Sequence, residues 1–324
     1  MKKPAFLKGI LMDVLNYLIK RILQMIPVFL ISTIIVFVLI RLIPGDPARV
    51  LLGERATQEA IEALHVKMGL DKSIFEQFII FFRNLLKLDF GTSLAKKVPV
   101  SELLKSRLSC TALLTFVTVM ITVIISFIFG YIAGMKKGSV ADAIIRFFAL
   151  FGLSAPQFWI GLVLLDIFAL KMHLLPVSGW GSTPVEHLKS MILPGITGAV
   201  YVSGILIRNL RSNVIDISRA DYVDFAESKG ISPIRLSLFH VIRNALIPAT
   251  TLLSLRIAVM MSGSVVLEKV FNLPGLGALL VDAITARDYA VVQGVVMMFV
   301  ILVMLINLIT DILYSILDPR VKLQ

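Results

Sequence analysis

The longest apolar runs decide what this chain can become. Six stretches of about twenty residues or more carry almost no charge: roughly 22–43, 111–134, 144–170, 191–210, 245–267 and 291–317. A helix of about 18 to 20 apolar residues crosses the hydrocarbon core of a bilayer. In lipid every backbone N–H and C=O needs a partner inside the protein, so runs of this length resolve as helices. The predicted fold class is an all-α membrane protein with six transmembrane helices. Composition agrees: 57% of the 324 residues are hydrophobic and only 16% are charged, against about a quarter in soluble domains. The single cysteine, Cys110, excludes an internal disulfide and a multi-cysteine metal site, and four dispersed histidines offer no metal-ligand spacing.

A net charge of +11 would suggest nucleic acid in a soluble protein. Here the basic residues stand beside the spans, where they set orientation, and no nucleic-acid partner is expected. The N-terminal segment carries Lys2, Lys3, Lys8, Lys20 and Arg21, and the loop after the second span carries Lys136, Lys137 and Arg146. The loop after the fourth carries Arg208, Arg211, Arg219, Lys229, Arg235 and Arg243, and the tail ends in Arg320 and Lys322. Six spans place all four segments on one side, with both termini cytoplasmic. The first span is too long for a signal peptide and lacks a small-residue cleavage site, so it reads as a retained anchor.

The expected organisation follows. Residues 1–21 form a cytoplasmic amphipathic helix, with apolar pairs at Phe6/Leu7, Ile10/Leu11, Val14/Leu15 and Leu18/Ile19, and 22–43 form the first span. Residues 44–110 form a small extracytoplasmic helical segment containing TQEAIEALHVKMGL and SIFEQFIIFFRNLLKL. Residues 111–317 hold the other five spans, including a cytoplasmic loop over 211–244, and 318–324 form a cytoplasmic tail. Residues 171–190 are an outer Pro/Gly-rich loop.

The stretch SRADYVDFAESKGISP, 218–233, is polar and well punctuated between apolar runs. Ser218 is placed to cap a helix with Asp221 as capping-box partner, Gly230 to end it, and Ser232 with Pro233 to start a second helix that runs into the fifth span. The first helix is expected to expose Tyr222, Val223 and Ala226. A loop of this construction is suited to docking another chain.

Three charges fall inside spans. Arg256, in TLLSLRIAVMMSG, has two readings: it lines a path and meets an anionic group, or it pairs with Asp166 or with a partner subunit. Asp166 is expected near the outer interface, and Asp311 in a packing or capping role. Met172, Met260, Met261, Met297 and Met298 read as packing rather than as soft-metal ligands. Between the fifth and sixth spans, Leu276, Leu279, Leu280 and Ala283 keep helical spacing after Pro274 and Gly275, the pattern of a re-entrant helix. No G-x-x-x-x-G-K-[ST], H-E-x-x-H or G-x-S-x-G motif is present, so no catalytic residue or ATP site is assigned to this chain.

RLIPGDPAR, SRADYVDFAESKG, HVIRNALIP, VLEKVFNLPGLGALLVDAI, ARDYAVVQG and NLITDILYSILDPRVK occur in an order that resembles permease subunits of bacterial ATP-binding-cassette importers. The branch is the one importing di- and oligopeptides, nickel or nickel chelates, and glutathione. Asp224-Phe225-Ala226 stand where that family has Glu-Ala-Ala, with Gly230 at the matching glycine. Asp224 replaces a residue commonly basic, Ala290 one commonly proline, and residues 1–12 extend beyond the family pattern. The resemblance implies an ATPase-coupling loop made by Asp221, Tyr222, Val223, Asp224, Phe225, Ala226 and Gly230. It also implies an outer gate and binding-protein contact at Phe271, Pro274, Gly275, Leu276 and Gly277. The implied partners are a second permease, two ATPase subunits holding ATP and Mg, and an extracytoplasmic substrate-binding protein. Peptide is the expected substrate class, with nickel chelates and glutathione as alternatives. An ion-gradient transporter would call for repeated halves and intramembrane acids, and an embedded enzyme for a catalytic motif.

Overall fold

A computed structural model describes residues 3–42, 47–53 and 56–317. Among these residues the regular structure is helical, apart from one isolated antiparallel bridge between Thr92 and Pro99. The helices in chain order are α1 (Lys3–Arg41), α2 (Pro47–Leu52), α3 (Gln58–Met68), α4 (Ile74–Leu86) and α5 (Val100–Met135). Then come α6 (Val140–Ser154), α7 (Gln157–Leu164, continued by a π-helical segment Leu165–Lys171) and α8 (Pro184–Ser218). The rest are α9 (Asp221–Ser228), α10 (Pro233–Arg235, continued by a π-helical segment Leu236–Ile242), α11 (Arg243–Val270), α12 (Leu276–Thr285) and α13 (Tyr289–Leu317).

Four of these helices are long and apolar enough to cross a membrane, over Ile19–Arg41, Val100–Met135, Pro184–Ser218 and Tyr289–Thr310. A fifth candidate is the pair Val140–Ser154 and Gln157–Lys171, bent by 110°. The third apolar run is therefore not the single straight span expected over 144–170. Pro156 is the cause: it forces Ala155 into extended backbone (φ −76°, ψ 135°), and α6 ends there. The run expected over 245–267 lies within the 28 residues of α11. The amphipathic N-terminal segment and the first span form one continuous helix, α1. The side chains of its residues 3–18, that of Asp311, and the tail with Arg320 and Lys322 lie outside the described residues.

The chain divides into two compact units. The first holds residues up to 109 together with 275–308. Its segment between α1 and α5 is locally well specified. Thr57 accepts from the Ala60 N–H at the start of α3, Gly69 ends that helix at φ +68°, and Ser73 with Glu76 forms a reciprocal capping box on α4. Phe78 and Phe81 of α4 pack on Phe37 of α1, with ring centroids 5.2 and 5.7 Å apart. Asp288 is buried and accepts from Ser93 Oγ (2.6 Å) and Ala95 N (3.2 Å), tying the turn before α5 to the start of α13.

The second unit holds 110–274 and 309–322, and α8 is its central helix, packed by α6, α7 and α11. Small residues let the backbones approach, as membrane helices commonly do. A Cβ on Gly204 would lie 2.5 Å from the Ala149 carbonyl oxygen of α6, and one on Gly134 of α5 would lie 2.6 Å from Val214 of α8. Directions follow from the register. Gly130 and Gly134 of α5 meet Leu210 and Val214 of α8, while Gly195 and Gly198 meet Val117 and Thr118, so α5 and α8 are parallel. Ala149 and Gly152 of α6 meet Gly204 and Val200, so α6 is antiparallel to α8. So is α11: Leu267 touches Gly198, Met260 clusters with Val202 and Leu206, and Val241 and Ala245 cluster with Leu210 and Val214.

Candidate coupling loop and transport path

The polar loop is built at the end of α8 where Arg211 and Val214 lie. Ser218 does not cap α9. It is the last residue of α8, and its Oγ donates to the Val214 carbonyl at 2.5 Å. Ala220 occupies the cap position of α9 without a side-chain bond, so the expected capping box with Asp221 is absent. The stop signal is present: Gly230 has φ +76°, its N–H donates to the Glu227 carbonyl (2.8 Å), and Ile231 N–H reaches the Ala226 carbonyl (3.4 Å). That pair is a Schellman termination, which favours glycine at its left-handed position. Ser232 precedes Pro233 at the start of α10, but its hydroxyl makes no capping bond.

The exposed face of α9 differs from the expected one. Val223 and Ala226 are buried, Val223 against Leu210, Val214, Val241 and Ala245. Burying Val223 contributes about 1.5 kcal/mol toward holding α9 against the bundle. The outward face carries Asp221, Tyr222, Asp224 and Phe225, with Phe225 61% exposed. Lys229 Nζ lies 4.4 Å over the Phe225 ring. Tyr222 Oη donates to the His240 carbonyl (3.4 Å) and accepts from Asn244 Nδ2 (3.0 Å), tying α9 to the π-helical entry of α11. Tyr131 of α5 and Ser237 share a hydroxyl–hydroxyl bond in the same region. The result is a short helix bolted to two long ones, with an aromatic and acidic face left outward.

One tie at this end was not singled out from the sequence. Asp142, in the first turn of α6, is fully buried and takes a two-pronged contact from Arg211: Nε to Oδ1 at 2.6 Å and Nη2 to Oδ2 at 2.8 Å. Gly138 N–H donates to Oδ2 (2.9 Å), and Arg146 Nε stands 3.4 Å from Oδ1. Planar guanidinium on carboxylate is a strong and directional arrangement. Counting Arg211 and Arg146 only as orientation charges hid this. The available signal was an acid inside a basic loop, three residues after the helix-starting Ser139.

Within the apolar part of the unit, Arg256 Nε is buried and has no hydrogen-bond partner among the described residues. The expected alternative, a bond to Asp166, is not formed: Asp166 pairs with Lys171 at 2.6 Å, both exposed. Arg256, Met260 and Ser264 follow one another at four-residue spacing on α11, the spacing of one helix face. Met260 and Ser264 line a cavity of about 100 Å³ together with Leu114, Thr118, Gln157 and Tyr201. Glu268, one further turn along, is fully buried and accepts from Thr111 Oγ1 (2.7 Å). Met260 and Met297 sit in apolar clusters, as expected of packing methionines, whereas Met172 is exposed.

The residues expected at the outer gate are mostly packed as anchors. Phe271 belongs to the second unit, is buried with Leu114, Met191 and Leu273, and its ring would meet a Cβ on Gly161 at 3.2 Å. Pro274 is half-buried. Gly275 caps α12 in extended backbone, and Leu276 and Gly277 are buried in the first unit, Leu276 among Val100, Leu104 and Val291.

Long apolar helices packed through glycines, with a two-helix polar loop bolted to one end, define the class: a multi-pass helical membrane protein. The chain belongs to the family described as binding-protein-dependent transport system inner membrane component, whose profile matches residues 126–323. The N-terminal profile of the same system matches residues 14–115. The chain is similar to the glutathione transport system permease protein GsiC of Salmonella choleraesuis (strain SC-B67), 37% identical over 308 residues, 95% of this chain and 99% of that protein. The protein of that name from Escherichia coli (strain K12) is 35% identical over the same shares. In fold the chain is similar to a chain of the inward-facing MetNI methionine ABC transporter, with TM-score 0.53, 15% identity, and coverage of 67% of this chain and 96% of that one. The protein is thus an inner-membrane permease subunit of an ATP-binding-cassette importer and is not itself a catalyst.

Proposed function

We propose that this chain forms half of a translocation path for glutathione or short peptides of similar size, driven by ATPase subunits docked on α9. The observation that carries the substrate class is the 37% identity to a glutathione permease across 95% of the chain. Glutathione is itself a short peptide with two carboxylates, so it falls within the peptide class expected from the motifs. Arg256 supplies a half-buried guanidinium whose Nε has no described hydrogen-bond partner, suited to meeting a carboxylate in the path.

The proposed topology has six spans, with the bent α6–α7 pair as the third and both termini cytoplasmic. The register supports it. α6 starts beside Arg211 near one end of α8, and Ala169, past the bend, packs with Met191 near the other. The pair therefore runs the length of α8 despite its kink. Lys136, Lys137, Arg146, Arg211, Arg219 and Lys229 gather at the α9 end, which favours a cytoplasmic position for that end by the positive-inside rule. A second permease, two ATPases with ATP and Mg, and an extracytoplasmic binding protein complete the assembly, and Phe271, Pro274, Gly275, Leu276 and Gly277 hold the outer gate in shape. Movement of α9 with the ATPases is passed to α8 and α11 through Val223 and the Tyr222–Asn244 contact, a rigid-body form of alternating access.

The test is uptake by the reconstituted importer with its binding protein. Labelled glutathione should enter ATP-dependently, and an excess of unlabelled glutathione should compete. Uptake of nickel chelate with no uptake of glutathione or tripeptides would overturn the substrate reading.

A further inference from the structure

We infer that α4 is an in-plane interfacial helix whose outward apolar strip rests in the lipid of the outer leaflet, rather than standing clear of the membrane. The inference rests on reading α1 and α13 as spans. Phe78 and Phe81 of α4 lie against Phe37, which is one turn, or about 6 Å, inside the end of the apolar run of α1. Leu85 is buried against Val36 of α1 and Met297 of α13, the latter about 12 Å along from the start of that helix at Tyr289. Contact at that level sets α4 beside the end of the span rather than beyond it. Part of the free side is apolar: Phe75, Ile79 and Leu86, at four- and seven-residue spacing, are 72%, 48% and 64% exposed.

Glu76 and Arg83 of α4, with Lys87 at its C-terminal cap, form a separate strip and are also exposed. A large apolar strip beside a charged one, at the end of a span, is the pattern of a helix lying in the membrane surface. Lipid is also continuous with the neighbouring surface, since Ile35, Val38 and Leu39 of α1 are 50%, 44% and 56% exposed.

The experiment uses the assembled importer in vesicles of phosphatidylethanolamine and phosphatidylglycerol, with Cys110→Ala as background. Nitroxides are attached one at a time at Phe75→Cys, Ile79→Cys, Leu86→Cys, Glu76→Cys, Arg83→Cys and Lys87→Cys. The first three should collide more with oxygen than with a water-soluble nickel chelate, and the last three the reverse. Free access of the chelate to all six would overturn the proposal, as would shielding of 75, 79 and 86 from both reagents, the mark of a covering protein. A label at Ile31→Cys, 57% exposed in the middle of the first span, separates the two levels. Chelate access there would break the span assignment itself, whereas a lipid-exposed 31 with a water-exposed 79 would remove only the interfacial helix.

Discussion

Replacing Asp142 by asparagine should strip the partly buried Arg211 guanidinium of its counter-charge. Asp142 receives Arg211 at 2.6 and 2.8 Å and Gly138 N–H at 2.9 Å, and its side chain is 1% exposed. Removing one member of a buried ion pair costs about 3–5 kcal/mol, because the remaining charge keeps its desolvation penalty. The Arg211 side chain is 19% exposed and retains some hydration, so Asp142→Asn is expected at the lower end, about 3 kcal/mol. Arg211→Met alone should cost a similar amount. The double variant should cost less than the sum by about 2 kcal/mol, since neither charge is then stranded. Reversible unfolding in mixed detergent and dodecyl sulfate can be followed by Trp159 and Trp180, both in the unit that holds the pair. A loss below about 0.5 kcal/mol, or strict additivity, would show that the contact does not hold α6 to α8.

Further outcomes are expected elsewhere. At Gly230 a Cβ would meet nothing within 4 Å, so only backbone strain opposes substitution; ATP hydrolysis coupled to transport should fall in the order Asn, Ala, Val, and a fully coupled Gly230→Val would remove the role of this turn. Arg256→Gln should slow uptake of a carboxylate-bearing peptide more than that of its amidated analogue, with binding to the receptor protein unchanged; equal slowing of both would indicate a structural role instead. Gly204→Ala should destabilise the second unit by about 1–3 kcal/mol, because its Cβ meets backbone at 2.5 Å, and a neutral result in the same unfolding assay would contradict the close crossing of α6 and α8. Cysteines at 60 and 180 should label only from outside and at 225 only from the cytoplasm, and any reversal would break the proposed topology.

How far the sequence was legible depended on the range of the interaction. Apolar runs marked the long helices because lipid leaves the backbone no alternative, and Gly230 marked the end of α9 because few residues fill its left-handed position. Hydropathy, however, reports where the membrane ends and not where a helix ends. α8 continues through the polar stretch to Ser218, which turned an expected cap into a last helical residue. The same weighting swallowed Pro156, whose local signal for a break was outvoted by apolar neighbours on both sides. The spacing of Val223 and Ala226 indicated one helical face, but its inward direction was decided by Leu210, Val214, Val241 and Ala245 from two other helices. Asp142 and Arg211 are 69 residues apart, and no local pattern links them.

The coupling claim is tested most directly by cross-linking from the outward face of α9. Phe225→Cys, in the importer purified with its companion chains, should form a short-range cross-link to the ATPase subunits and to no other chain. Nucleotide state should change its yield, because α9 is proposed to move with those subunits. A residue 225 that never reaches an ATPase chain in an assembly that still transports would contradict the account.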